Sequence, residues 1–491
     1  MKTFLLSILS ALLLAGCSGR IEISDYSHQP PQIYPDYAGV TVPCNIAPLN
    51  FHVDNPQGTV AAIFRYGKDS VVVHGDDGDI EISAEQWRKM TAAPGTISVT
   101  VCADNGGWTA WDPFSITVSA DSIDPTLVYR RIPPLYGTWR MMGIYQRDLE
   151  GFGEKAIYEN TACGGNCVNC HSFRDKSPAD MQLHMRSNGS ATYIARGDQR
   201  YRLDTKTDST IANFTYPYWH PSGRYIAYSV NDIFQVFHTS DPNVTEVIDD
   251  RSDVVVYDLD RNEVFSSPLL KSGSRLETFP AFSADGRRLY FCSAAKPDSL
   301  PQGYRDVKYS ICAIDFNPAD GTFGSSVDTL YNAEAEYPDC PGLSNRSMTV
   351  PRCSGDGRWL VATLSDYGNF KIWHKDADLW ICDLATGEWR PMEAANSADV
   401  DSYHSWSGNS RWMVLSSRRD DGLYTRPYIT HIDENGQCTK AFMLPQLHPK
   451  KFYTDQEDSY NIPEFVSGPV GFDTRDMADW IGCPSMPVNY R

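Results

Sequence analysis

The sequence predicts an all-β chain made of a small β-sandwich, a short irregular segment and a repeated β-array of about six units. Three observations predict it. Short runs of alternating apolar and polar residues, separated by Gly, Asp and Asn turns, fill residues 41–120. Between 191 and 475 a Pro, Gly-turn and apolar-strand pattern recurs at least four times. Between these regions the alternation lapses, and Cys167-Val168-Asn169-Cys170-His171 appears.

The N-terminus bears on where the chain works. Lys2 precedes an apolar run, Phe4 to Leu14, too short to cross a bilayer and of signal-peptide length. It leads into Leu14-Ala15-Gly16-Cys17, which closely resembles the bacterial lipoprotein box. The resemblance implies a signal over residues 1–17, with Cys17 lipidated and first in the mature chain. It also implies a membrane partner reached through acyl chains and, since Ser18 is not a retention aspartate, an outer-membrane address in the cell envelope. The alternative is an ordinary signal peptide with an incidental cysteine.

Residues 18–40, with Pro30-Pro31 and Pro35, are expected to form an extended tether. Residues 41–120 contain Val60-Ala61-Ala62-Ile63-Phe64, Ser70-Val71-Val72-Val73 and Ile97-Ser98-Val99-Thr100-Val101, the pattern of an immunoglobulin-like sandwich. The formal charge of −19, spread along the chain, argues against nucleic acid as a partner. Of thirteen cysteines, Cys44 and Cys102 form a candidate disulfide, whereas Cys292, Cys312 and Cys382 sit in apolar strand patterns typical of buried thiols.

Residues 121–190 are expected to form a compact haem-attachment segment. Cys167-x-x-Cys170-His171 has the spacing through which one c-type haem is attached covalently, the thiols holding the ring and His171 the iron. A disulfide, a thioredoxin-like pair and half a zinc site, with Cys163 nearby, are the competing readings. Ser177-Pro178-Ala179-Asp180 reads as a helix start. The helix would put Met181, His184 and Met185 on one face, with His184 first and Met185 second as the sixth iron ligand. Met141 and Met142 are the remaining candidates.

Residues 191–491 carry the repeats. Pro217-Tyr218-Trp219-His220-Pro221-Ser222-Gly223-Arg224 is followed by Pro280-Ala281-Phe282-Ser283-Ala284-Asp285-Gly286-Arg287 and Pro351-Arg352-Cys353-Ser354-Gly355-Asp356-Gly357-Arg358. A looser copy is His404-Ser405-Trp406-Ser407-Gly408-Asn409-Ser410-Arg411. The Asp-Gly or Ser-Gly pair supplies the positive φ angles of a tight hairpin between two strands of a blade. A strand ending in Asp follows each copy, as in Val254-Val255-Val256-Tyr257-Asp258. These pairs resemble the WD40-like repeats of TolB-type β-propellers, and roughly 45–50 residues per blade give about six blades. With the lipoprotein box, Gly164–Phe173 and Leu364–Phe370, the chain looks like a Bacteroidetes family of TolB-like, cytochrome-c-related lipoproteins.

No Gly-x-Ser-x-Gly elbow, phosphate loop or dinucleotide fingerprint is present. His220, His374 and His404 read as blade-internal hydrogen-bonding groups, and the repeated aspartates as turn caps. The sequence therefore points to an electron carrier or binding protein more than to an enzyme. In the first reading a monohaem lipoprotein transfers electrons at the envelope, its propeller docking a protein redox partner. The alternative is a haem-free propeller that recognises a protein, peptide or glycan.

Overall fold

The computed structural model describes residues 21–56, 58–134 and 141–491. Cys17 and the expected signal sequence lie outside the described residues.

Six sheets, each built on four strands, succeed one another around a closed ring and form a six-bladed propeller. Blade I holds Thr126–Ile132, Gly143–Asp148 and Glu154–Glu159, and takes its innermost strand, Ser459–Val466, from the far end of the chain. That strand pairs antiparallel with Thr126–Ile132, Val128 facing Glu464 and Arg130 facing Asn461. The inner strands of blades II to VI are Asn166–Phe173, Phe214–Trp219, Arg275–Phe282, Ser347–Cys353 and Asp401–Trp406. The tail then adds Met486–Pro487 to the outer edge of blade II and Asn489–Tyr490 to that of blade III, covering edges that would otherwise expose unpaired backbone.

The expected hairpins are present. Gly223, Gly286 and Gly357 have φ near +70° and Ser410 has φ 59°. A second regularity runs deeper. Each inner strand holds one residue at positive φ: Cys170, Tyr216, Phe279, Val350, Tyr403 and Ile462, all between 43° and 58°. Strand pairing slips at each of them, as it does in a β-bulge. The next residue is proline in four blades (Pro217, Pro280, Pro351, Pro463) and histidine in two (His171, His404). Proline suits a bulge because it brings no N–H that the interrupted ladder would leave unpaired.

Several expectations are corrected. Residues 121–190 do not stand apart as an irregular segment; they supply strands to blades I and II. The helix expected after Pro178 is instead the strand Asp180–Ser187. Met181, Leu183 and Met185 alternate into the apolar cluster around Tyr158 and Tyr193, a period of two that spacings of four also satisfy. Nor are residues up to 40 a free tether. Ile23–Tyr26 pairs with Trp108–Ala110, Ile33–Tyr34 pairs with Phe51–Val53, and Tyr37 and Val40 are buried.

The N-terminal region comprises a seven-stranded and a three-stranded sheet, with the capped helix Ala84–Thr91 between strands. Its core, including Phe51, Val60 and Val99, is continuous with Trp412, Val414 and Phe442 of blade VI and Tyr460 of blade I. Cys44 packs on that core, whereas Cys102 lies with Ala61 and Ala110 in a separate cluster; both thiols are free, and the expected bridge is absent. Cys292, Cys312 and Cys382 are buried free thiols, as expected.

Candidate functional site

The ring of bulges divides the central channel into two chambers. Inner-strand residues before the bulge, among them Cys167, Asn169, Ser459 and Asn461, line one chamber of about 180 Å³. Residues after it, including His171, Tyr218, Arg352, His404 and Glu464, line the other, of about 150 Å³.

His171 sits directly after the bulge of blade II, with 2% of its surface exposed. Neither ring nitrogen has a hydrogen-bond partner. The backbones of Ile462 and Val128 face the ring without completing such a bond. Burial, reinforced by the Arg130 guanidinium, pushes its pKa down to about 3, so the imidazole is neutral. Cys170, at positive φ, is buried beside the Tyr216 backbone, and burial pushes its thiol pKa up. Its carbonyl accepts a hydrogen bond from Gln182 Nε2. Cys167 is partly exposed and pairs with Arg186 across the ladder.

The expected sixth ligands do not converge on His171. His184 lies on the opposite face of its strand from Met181 and Met185, and its Nδ1 is 3.0 Å from Thr192 Oγ1. Burial lowers its pKa to about 3. Met181, Met185 and Met142 pack in the inter-blade core, Met142 Sδ accepting from Val168 N–H at 3.3 Å, and Met141 is exposed. Arg130, rather than any iron ligand, is the group whose charge reaches His171.

A c-type haem needs both thioether carbons and the proximal imidazole against one macrocycle. Here Cys167 borders the first chamber, His171 borders the second, and Cys170 lines neither. Neither chamber, at about 150 and 180 Å³, is large enough to enclose a porphyrin ring. The residues in this arrangement do not fit the group. His171 instead occupies a position that proline fills in four other blades.

The other histidines behave as blade constituents. His220 Nδ1 is 2.8 Å from Ser222 Oγ and Nε2 is 2.9 Å from the Gly286 carbonyl. His404 Nε2 is 3.0 Å from the Val361 carbonyl, and burial lowers its pKa to about 3. His374 meets buried Glu246 at 3.0 Å. Asp258, Asp383 and Asp433 accept backbone N–H groups two residues on, as turn caps do.

Two half-buried groups in the second chamber were not anticipated. Arg352 lies over the Tyr218 ring at 5.2 Å, and burial lowers its pKa. Glu464 accepts from Phe173 N–H at 3.2 Å, and burial raises its pKa. Both fall within the repeat itself, Pro351-Arg352 and Pro463-Glu464. Ile462-Pro463-Glu464-Phe465-Val466 repeats only the bulge and the inner strand, with no basic residue directly after Gly468 and no hairpin partner beyond it.

Three histidines near pKa 3 imply acid sensitivity. The unfolded chain, with histidine pKa near 6.5, takes up protons that the folded chain refuses. Their effect is therefore absent above pH ~6.5 and removes stability progressively as the pH falls toward 3. Asp249, raised to about 6, and Glu277, raised to about 7, act oppositely, because the folded state holds their protons more tightly. The expected result is cleanest as a difference. Relative to His171→Pro, the wild-type unfolding free energy should fall about 1.4 kcal/mol more steeply per pH unit between 6 and 4. Parallel curves from denaturant titrations would show that His171 does not titrate this way.

The chain matches no family model and no curated protein. Solved structures similar to it include a hypothetical selenium-binding protein from Sulfolobus tokodaii, 9% identical, with a TM-score of 0.40, covering 72% of this chain and 96% of that one. The periplasmic gluconolactonase of Pseudomonas aeruginosa is 13% identical, with a TM-score of 0.36, covering 70% and 100%. Prolyl oligopeptidase B from Galerina marginata is 11% identical, with a TM-score of 0.35, covering 71% and 43%. The propeller assignment rests on the six sheets of this chain and not on these likenesses.

Proposed function

We propose that this chain is an exported binding propeller, anchored through lipidated Cys17 to the outer membrane, which takes a peptide or glycan segment of a partner into its central channel. The observation that carries the reading is the second chamber. Partly exposed Tyr218 and Tyr403 offer ring faces there, beside Trp219, Trp406 and the half-buried side chains of Arg352 and Glu464. Aromatic faces with a few fixed polar groups suit sugar rings and peptide side chains alike. Titration of intrinsic tryptophan fluorescence with oligosaccharide and peptide panels tests it. One class should give a saturable change that Tyr218→Ala and Tyr403→Ala weaken. A flat response to every class, or one indifferent to both substitutions, overturns it.

A second reading keeps one covalent haem c on Cys167, Cys170 and His171, and electron transfer to a redox partner docked on the propeller. The observation favouring it is the buried, neutral imidazole of His171 with both nitrogens unpartnered, a state suited to metal ligation. His171→Pro separates the readings. The preceding residue already has the positive φ found before Pro217, Pro280, Pro351 and Pro463. As a blade constituent, His171 is replaceable: two unpaired buried nitrogens vanish and the unfolded chain stiffens, so stability should hold or rise by about 1 kcal/mol. Expressed with haem-attachment machinery, both forms should be colourless. A Soret band and haem-stained wild type, with the spectrum altered in His171→Pro and the stain lost in Cys167→Ala/Cys170→Ala, would establish the haem reading instead.

A further inference from the structure

The first chamber has a charge pattern at odds with the rest of the chain. The protein has 62 acidic against 43 basic residues. Yet among the described residues lining this chamber there are three arginines, Arg130, Arg186 and Arg418, and no aspartate or glutamate. Two of the three are deeply buried, Arg418 at 2% and Arg130 at 8% exposure.

Their hydrogen bonds are incomplete. Arg418 Nε donates to the Ile372 carbonyl at 2.8 Å, while its Nη1 has no partner. Its guanidinium lies 3.4 Å over the centre of the Trp373 ring. Asp399 and Asp421 are the acids whose fields reach it, and neither lines the chamber. Arg130 Nη1 donates to Asn169 Oδ1, and its Nη2 meets the Asn461 amide oxygen at 3.2 Å when that amide also donates to Thr425. Its Nε has no partner. Arg186 stands in no ion pair and no side-chain hydrogen bond among the described residues, so nothing internal consumes its charge. Burying a guanidinium without a counter-charge in contact is costly, and so is leaving its N–H donors unpaired. An oxyanion in their midst would relieve both, since guanidinium forks match the paired oxygens of carboxylate and phosphate. The other lining residues include the aromatic Tyr216, Phe370 and Trp373, which would cover an apolar or planar body.

We propose that this chamber is a binding site for a small organic anion, whose carboxylate or phosphate oxygens are held by Arg130, Arg186 and Arg418 and whose carbon skeleton lies against Tyr216, Phe370 and Trp373. It is independent of the partner site in the second chamber. The segments that build it come from blades I, II, III and VI and the loop around Trp373, so the site exists only in the closed ring.

Calorimetric titration of the purified protein with benzoate, benzamide and inorganic phosphate tests it. Benzoate should bind with one-to-one stoichiometry, and benzamide, of like shape but neutral, at least ~10-fold more weakly. Phosphate binding would show that the bare oxyanion suffices; phosphate silence beside benzoate binding would show that the aromatic walls contribute. Affinity should fall with added salt. Arg186→Gln, at a residue no internal bond depends on, should weaken benzoate at least ~10-fold while leaving the melting temperature of the free protein unchanged. Arg418→Gln should weaken it as well. Silence of both anions at millimolar concentration, equal binding of benzamide, or binding unaffected by both substitutions overturns the proposal.

Discussion

A chain ended after Asp458 is expected not to fold. The missing part contains Ser459–Val466, the innermost strand of blade I, which pairs with Thr126–Ile132 and closes the ring between blades VI and II. Its loss strips Tyr460, Phe465 and Val466 from the core and leaves Thr126–Ile132 as an open edge facing the channel. The same cut removes the helix Thr474–Ile481, whose Met477 and Trp480 pack on the blade II core, and both tail strands. Each fully buried large apolar side chain is worth about 1.5–3 kcal/mol, so five of them rival the roughly 5–15 kcal/mol net stability of a whole domain. Circular dichroism should show no cooperative melt, and limited proteolysis should degrade the product throughout. A truncated chain melting within a few degrees of the intact one would show that the C-terminal strand does not close the ring. Supplying residues 459–491 as a separate peptide should restore the melt in part.

That closing strand explains much of what the sequence hid. Blades III to VI were legible because each keeps its hairpin glycine or serine, its post-bulge proline or histidine and its Asp-capped third strand in one contiguous stretch. Blade I splits its strands between residues 126–159 and 459–466, and no local window contains both parts. Blade II was obscured by chemistry. Cys170-His171-Ser172-Phe173 occupies the bulge that Tyr216-Pro217-Tyr218-Trp219 occupies in blade III, yet five letters, Cys167 to His171, spell a haem-attachment motif. A residue pattern reports composition and spacing, and here the same spacing sits on an extended strand whose side chains diverge to two chambers. Met181, His184 and Met185 misled similarly, since spacings of three and four suggest a helix while Met181, Leu183 and Met185 also satisfy a strand. The arginine chamber had no local signature at all. Arg130, Arg186 and Arg418 are brought together only by ring closure.

Trp412→Ala is expected to destabilise the N-terminal region and the propeller together. Trp412 is fully buried in the one core that runs from Phe51, Val60 and Val99 of the N-terminal sheets to Val414, Ile429 and Phe442 of blade VI. Its Nε1 donates to the Asp121 carbonyl at 3.2 Å, in the segment that links the two regions, and its ring meets His431 edge-on at 4.7 Å. His431 in turn contacts the Asp121 carboxylate at 2.7 Å. Truncation to alanine removes the ring, leaves a cavity at the junction and strips the Asp121 carbonyl of its indole donor, a combined cost of about 3–5 kcal/mol. Because the apolar cluster is continuous, the loss should not localise. Denaturant unfolding followed by near-ultraviolet dichroism and by proteolysis within residues 21–118 should shift together to a lower midpoint. Trp412→Phe, which keeps most of the volume but loses the hydrogen bond, should recover all but about 1–2 kcal/mol. Two separated transitions, with the N-terminal sheets unfolding at the wild-type midpoint, would show that the shared core does not couple them. The sheets would then be a domain resting on the propeller, and Asp121 and His431 a surface contact between separately stable units.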